Sequence, residues 1–522
     1  MIKKIHVKVH PEELIAFLIL FMYLWVLLVL QDFPASYTTN FLSIALCGIL
    51  SLFITALLFH ALKKLALVKI SGTATAGRRN TLIGISCVFI ATFLIMIFYF
   101  LGEYTEDIYS AGSDILNQYS QALGNYPLNN WHPFLHTLLF YIIPVRLTNS
   151  AAAIVILQLL YFSLAFTYLI YVIFQNGGSK FFILGFCVYI WLNPFLTAWM
   201  VYPTKDVAMM IFVMVLMAYY IQIICSRGMW LHRRRNLFLF SLFAVLCCYM
   251  RHNAILFVAP LVLIALFYDL KNDRQTIKMK LTAVFLMLAL SLLIRGIYAV
   301  YDVENPSYRT IETIGLPISV WANVLQSNAD ALPAETREVL LELLPQDMVA
   351  LFSADAGFNS IKFLDGMDWE PLDALSYTEV LKYTVQCFRY APRESIAAVT
   401  KLTNFVWSFN ISDTPKNYYM VTTAASETVS RLVMQLKVSF GSGLLASVFG
   451  AYGLQMLIIL IAAAVLMAAG RTSFLHILPV FCYNYGTMLL LTGRDYRFFL
   501  FNIPLWMCVI FLMLKDEKKM RK

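Results

Sequence analysis

Long apolar runs separated by short polar clusters dominate the chain. A helix needs about 20 apolar residues to cross a bilayer core, and fewer where neighbouring protein shields its ends. Runs of this kind lie near 14–30, 41–62, 81–101, 150–174, 181–200 and 206–225. Others follow near 237–250, 254–269, 281–301, 442–468, 473–491 and 498–514. The pattern predicts an all-α polytopic membrane protein with about 12 transmembrane helices. The first run reads as a retained helix, because Gln31-Asp32-Phe33-Pro34 offers no small-residue cleavage site after it. The stretch beginning Trp131-His132-Pro133-Phe134 is too short for a span before Arg146 and carries Trp and Tyr. It reads as an interfacial helix.

Basic residues orient the spans. Lys3, Lys4 and Lys8 precede the first helix, and Lys63, Lys64, Lys69, Arg78 and Arg79 follow the second. Further clusters are Arg227 with Arg233, Arg234 and Arg235, then Lys271, Arg274, Lys278 and Lys280, then the tail after Lys515. Threading twelve helices puts all of them on one side, which by the positive-inside rule is cytoplasmic, with both termini there. Two sizeable loops fall on the other side. One, about 102–149, opens with Glu103, Glu106, Asp107 and Asp114 and has no Lys or Arg before Arg146. The other, about 302–395, holds 15 Asp and Glu against 6 Lys and Arg and is expected to fold into short helices. The organisation read from these features is two additional N-terminal helices (1–80), core helices with the first outer loop (81–301), an extracytoplasmic subdomain with its return segment (302–440), and C-terminal helices with a basic tail (441–522).

Composition agrees. Of 522 residues 60% are hydrophobic and 13% charged, against about 25% charged in a soluble domain. The net charge of +9 needs no nucleic-acid partner, since cytoplasmic loops account for it. No Gly-rich phosphate loop, zinc-type Cys/His array or basic-aromatic stripe is present. Eight of the nine cysteines sit in apolar runs and Cys387 lies in a loop, so no disulfide framework is expected.

The informative residues are charges at helix ends away from the basic side. They are Lys205 and Asp206, Arg251, and Arg494 and Arg497 in Gly493-Arg494-Asp495-Tyr496-Arg497. Charge at membrane depth is costly and tends to face a cavity and a partner. Blander readings exist: Lys205 snorkelling to the interface, or Arg494 and Arg497 pairing locally with Asp495. Taken together, four cations at the mouths of different helices suggest a site for a phosphate or pyrophosphate. Asp114 is the candidate carboxylate to take a proton from an acceptor hydroxyl, while Asp107 fits a solvated loop or cap better. His132 and His136, four apart, have metal-ligand spacing, but without a local carboxylate a structural or substrate-bonding role is preferred.

In order along the chain, Ser113-Asp114-Ile115-Leu116-Asn117-Gln118-Tyr119, Asn130-Trp131-His132-Pro133, Thr204-Lys205-Asp206, Arg251 and Gly493-Arg494-Asp495-Tyr496-Arg497-Phe498 resemble the GT-C superfamily of integral membrane glycosyltransferases. Ile314-Gly315-Leu316-Pro317-Ile318 and Leu344-Pro345-Gln346-Asp347 resemble bacterial members, Gram-positive ones in particular. The resemblance spans about residues 81–515. It implies transfer of a sugar from a polyprenyl-phosphate donor to an extracytoplasmic acceptor: a cell-wall glycan, teichoic acid, glycolipid or protein. It further implies Asp114 and Asp206 as catalytic residues, and Lys205, Arg251, Arg494, Arg497, His132, Asn117 and Gln118 as substrate-binding ones. The implied mechanism is inverting, with an Asp base. No cofactor is fixed; a divalent cation, Mg or Mn, is an open addition at Asp206. The competing functions are a lipid-linked glycan polymerase or ligase, a flippase or transporter of lipid-linked sugars, and more weakly an acyltransferase using His132 or His252.

Overall fold

A computed structural model describes residues 11–32, 41–62, 78–105, 108–111, 113–268, 274–305, 310–409 and 426–515. Asp107, the basic clusters at 3–8 and 63–69, Lys271 and the tail after Lys515 lie outside the described residues. Among the described residues the chain is helical, with two isolated bridges and no strand. In chain order the helices used below are α1 (Pro11–Asp32), α2 (Phe41–Leu62), α3 (Arg78–Glu103), α4 (Ser113–Leu123), α5 (Phe134–Thr148), α6 (Ala152–Gln175) and α7 (Lys180–Trp191). They continue with α8 (Pro194–Met200), α9 (Lys205–Cys225), α10 (Arg234–Met250), α11 (Ile255–Phe267), α12 (Arg274–Val300), α13 (Gly315–Asn328), α14 (Ala334–Leu343) and α15 (Tyr377–Tyr390). The last are α16 (Pro392–Trp407), α17 (Glu427–Phe440), α18 (Gly443–Gly450), α19 (Tyr452–Ala468), α20 (Leu478–Leu489) and α21 (Asn502–Lys515).

Each apolar run of the sequence is helical, but not each is one unbroken span. Six stretches among the described residues are long and apolar enough to cross a membrane, and up to eight if two bent pairs each count as one. The others are shorter helices, so length and composition support six to eight crossings where the apolar runs number twelve. The breaks have local causes. Between α7 and α8 the axis bends by 58° where Pro194 opens a new helix and the Asn193 side chain caps it, accepting from the amides of Phe195 at 3.0 Å and Leu196 at 2.9 Å. Between α17 and α18 it bends by 91° at Gly441-Ser442. Between α10 and α11 Arg251 is fully extended (φ −154°, ψ 133°), which ends the helix inside a long apolar run.

Burial separates the inner helices from the outer ones. α9 is enclosed on nearly every side, from Val207 to Ile224. α3 and α12 instead expose Leu82, Ile83, Ile90 and Leu94, and Leu281, Phe285, Leu288 and Leu292. Apolar rows of that length are stable only against a nonpolar solvent, which is the make-up of an integral membrane protein. The α5 segment, expected to lie along an interface, buries Phe134, Leu135, Phe140, Tyr141 and Ile142 inside the protein.

Residues 310–391 form a helical subdomain with its own core, built on Trp321, Ile318, Leu340, Phe358, Leu372 and Cys387. Ser376 and Glu379 form a reciprocal capping box that starts α15. α16 leaves the subdomain and inserts Leu402 and Val406 into the main core. Among the described residues, several contacts join the subdomain and its approach to the rest. Leu128 and Asn130 exchange backbone hydrogen bonds of 2.9 Å with Glu304, which leads into it. The loop at 491–493 lies against it: the Asn359 amide donates to the Thr492 carbonyl at 2.9 Å, and Gly493 touches the Asn359 side chain. A Cβ on Gly315 would overlap the backbone of Thr492. Gly315→Ala is therefore expected to cost about 1–3 kcal/mol as an overpacking change and to lower the unfolding temperature in detergent; a wild-type melt would show that the contact has slack.

Candidate functional site

Asp114 sits in the first turn of α4, where the unpaired amides and the dipole favour a carboxylate. α4 is held against α5 by Gln118, whose amide nitrogen bonds His136 Nδ1 at 2.8 Å and Thr137 Oγ1 at 2.9 Å. This aims Asp114 at the ends of two distant elements. Arg497 Nη2 lies 3.0 Å from its carboxylate, and Lys205 Nζ lies 3.7 Å from it. His132 Nε2 is 3.8 Å away on the third side.

Lys205 also contacts His132 Nδ1 at 2.9 Å. An ammonium can only donate, so Nδ1 accepts and the imidazole proton sits on Nε2, facing Asp114. Burial, with Lys205 beside it, pushes His132 down to about 3, so the ring is neutral at physiological pH. Burial alone would raise Asp114, but the charges of Arg497 and Lys205 outweigh it and hold the carboxylate well below its usual range.

A second carboxylate completes the cluster. Asp206 opens α9, is almost fully buried, and contacts Arg251 directly. Arg251 Nε donates to Asn253 Oδ1 at 2.6 Å, and Asn253 donates to Thr487 Oγ1 at 2.8 Å. Its guanidinium lies over the Phe498 ring at 4.5 Å, a flat support for a flat ion. Arg497 is the hub: its Nε lies 2.6 Å from Asp495 and 3.6 Å from Asp206, while Nη2 holds Asp114.

Of the residues singled out in the sequence, Asp114, His132, Lys205, Asp206, Arg251 and Arg497 come together. Arg494 lies half-buried on the same loop, three residues before Arg497. Gln118 is committed to His136 and Thr137, and Asn117 to Gln121 at 2.7 Å, so these two support the helix that carries Asp114. His132 and His136 do not share a helix face, because Pro133 precedes α5 and leaves His132 outside it. Lys205 is paired rather than snorkelling, and Arg497 pairs with Asp495 while also reaching across to Asp114.

Nothing local marks Lys362 and Glu312, an ion pair in the subdomain within electrostatic reach of Lys205 and Asp114. Nor does anything local point to Asn253 and Thr487, which steady Arg251.

The donor set does not fit a divalent cation. Asp114 and Asp206 are each already against a guanidinium, with Arg497 between them. No group of three His, Cys, Asp or Glu among the described residues could hold a metal ion. What the arrangement can do is bind an anion next to a carboxylate. Lys205, Arg251 and Arg497 balance Asp114, Asp206 and Asp495, three against three, and Lys362 balances Glu312.

Breaking the buried pair tests this charge balance. Asp206→Asn would leave Arg251 buried beside a neutral partner, a change expected to cost about 3–5 kcal/mol. The unfolding temperature in detergent should fall, and Asp206→Asn with Arg251→Met should recover part of it. Equal melts for single variant and wild type would show that the pair is not stabilising. Comparison with protein-family models, with curated proteins and with solved structures gave no match, so geometry and chemistry carry the functional reading.

Proposed function

We propose that the chain is an integral membrane glycosyltransferase of the GT-C class, moving a sugar from a polyprenyl-phosphate donor to an extracytoplasmic acceptor. In this reading the twelve apolar segments all cross the bilayer, the shorter ones shielded by their neighbours, with both termini cytoplasmic and the Asp114 site on the opposite face. The observation that carries the reading is the meeting of Asp114 with Arg497 and Lys205, a carboxylate against cations from the mouths of two apolar helices. A flippase needs cations to hold a lipid phosphate but has no use for a carboxylate aimed among them.

In the proposed reaction the donor phosphate takes over Arg497 and Lys205. Asp114 then loses the pull of those cations while remaining buried, so its proton affinity rises when the donor is in place. The carboxylate accepts the proton of an acceptor hydroxyl, and the oxygen bonds to the anomeric carbon. The bond from that carbon to the phosphate oxygen breaks on the opposite face, the electron pair leaves with the lipid phosphate, and configuration inverts. Arg497, Lys205 and Arg251 stabilise the charge that grows on the leaving phosphate. Asp206 fixes Arg251 and Arg497 in place and stays ionised throughout.

The test is to supply the purified chain in liposomes with a panel of polyprenyl-phosphate sugars and to follow the labelled sugar. Sugar appearing on an acceptor supports the reading; labelled lipid crossing the bilayer uncleaved would replace it with a flippase, and chain growth on the lipid with a polymerase. The pH profile gives a second check. A depressed carboxylate keeps its charge as pH falls until well below its ordinary value near 3.9, and His132 stays neutral to about 3. Neither titrates in the free enzyme between about pH 5 and 8, so kcat/KM should show no acid limb from them in that window. A limb near 6.5, removed by His132→Gln, would contradict the neutral His132.

A further inference from the structure

Around Lys362 lies a group of rings that the proposed reaction does not use. Lys362, almost fully buried, pairs with Glu312 and lies 5.0 Å from the Phe363 ring centre, 5.6 Å from Trp131 and 5.9 Å from Trp369. The two indoles stack on each other, with centroids 6.2 Å apart and planes at 17°, and Phe363 meets Trp369 edge-on at 5.8 Å. Trp131 directly precedes His132, whose ring faces Asp114 and Lys205. The rings surround Lys362, which is within electrostatic reach of Asp114 and Lys205, and they join the first loop to the helical subdomain. Phe363 is 66% exposed and both indoles are half-buried, so part of the aromatic surface is open.

We propose that this aromatic surface is the acceptor subsite and that it takes a neutral saccharide; the acceptor role rests on the transferase reading. The negative face of an indole attracts the polarised C–H bonds along one side of a pyranose ring. Glu312 and the exposed Asp368 supply acceptors for its hydroxyls. The charge around the rings excludes the alternatives. Lys362 already provides the cation that the rings attract, so a quaternary ammonium ligand has no vacancy there. The loop 302–395, with 15 acidic against 6 basic residues, repels a polyanion such as a glycerol-phosphate polymer. A neutral sugar on the rings would bring a terminal hydroxyl towards Asp114.

Saturation-transfer NMR on the full chain in nanodiscs tests this without any donor, using methyl β-glucoside, methyl α-mannoside and N-acetylglucosamine as probes. At least one probe should receive saturation from wild type, and Trp369→Ala should weaken it about tenfold or more, as loss of a stacking platform does. Trp369→Phe, which keeps an aromatic face, should restore most of the binding, and Phe363→Ala, at an exposed ring, should weaken it in a folded protein. Poly(glycerol phosphate) should not displace the probe. No saturation of any probe, unchanged binding in Trp369→Ala and Phe363→Ala, or displacement by the polyanion would overturn the subsite. A probe that binds at Trp369 while wild type cleaves no donor would overturn the transferase reading and with it the acceptor role, but not the saccharide site.

Discussion

Asp114→Asn is expected to lower kcat for sugar transfer by about 10² to 10⁴-fold, the usual contribution of a positioned general base. The amide keeps the shape of the carboxylate and an oxygen that accepts from Arg497, so the fold should survive, but it cannot take a proton from a hydroxyl. The direction of the donor KM adds a sharper check. Asp114 neutralises Arg497 and Lys205 in the empty site at 3.0 and 3.7 Å, and the donor phosphate must displace it. Without that competing charge the donor should bind as tightly as before or more tightly while turnover collapses. Full turnover in the variant, made to equal folded yield, would move the base to Asp206 or Asp107. A raised donor KM with normal kcat would make Asp114 a binding residue only.

Arg497→Lys is expected to lower kcat/KM by about 10² to 10³-fold, the range for losing a donor that stabilises developing charge. The substitution keeps the charge and removes the fork. Arg497 addresses Asp114 through Nη2 and both Asp495 and Asp206 through Nε, three carboxylates in different directions. An ammonium is a single point of charge and cannot span them. Asp206 keeps Arg251 in the variant, so stability should change less than activity. Activity near wild type would reduce Arg497 to a counter-ion.

Much of the site was legible because charge in an apolar run is costly. Arg251 stands inside an apolar run of more than thirty residues, and the extended backbone that breaks the helix there brings its guanidinium to Asp206. Lys205, Asp206 and Arg497 stand out for the same reason at the ends of their helices. Asn117 and Gln118 belong to an ordinary polar helix, where sequence cannot tell a residue that meets substrate from one that braces its neighbours. Lys362 and Glu312 lie in a subdomain already rich in charge and fifty positions apart, so nothing local marks them as a pair. The apolar runs foretold where helices form, but not where they break: Asn193-Pro194 is a local cap that hydropathy passes over, and Arg251 finds its partner, Asp206, on another helix.

The most direct measurement is phosphorus NMR of the purified chain with a polyprenyl-phosphate sugar and a saccharide acceptor. The account predicts that the phosphodiester signal of the donor gives way to the monoester of free polyprenyl phosphate with wild type, and that it persists with Asp114→Asn at equal folded yield. A phosphodiester signal that wild type leaves unchanged across the donor panel would contradict it.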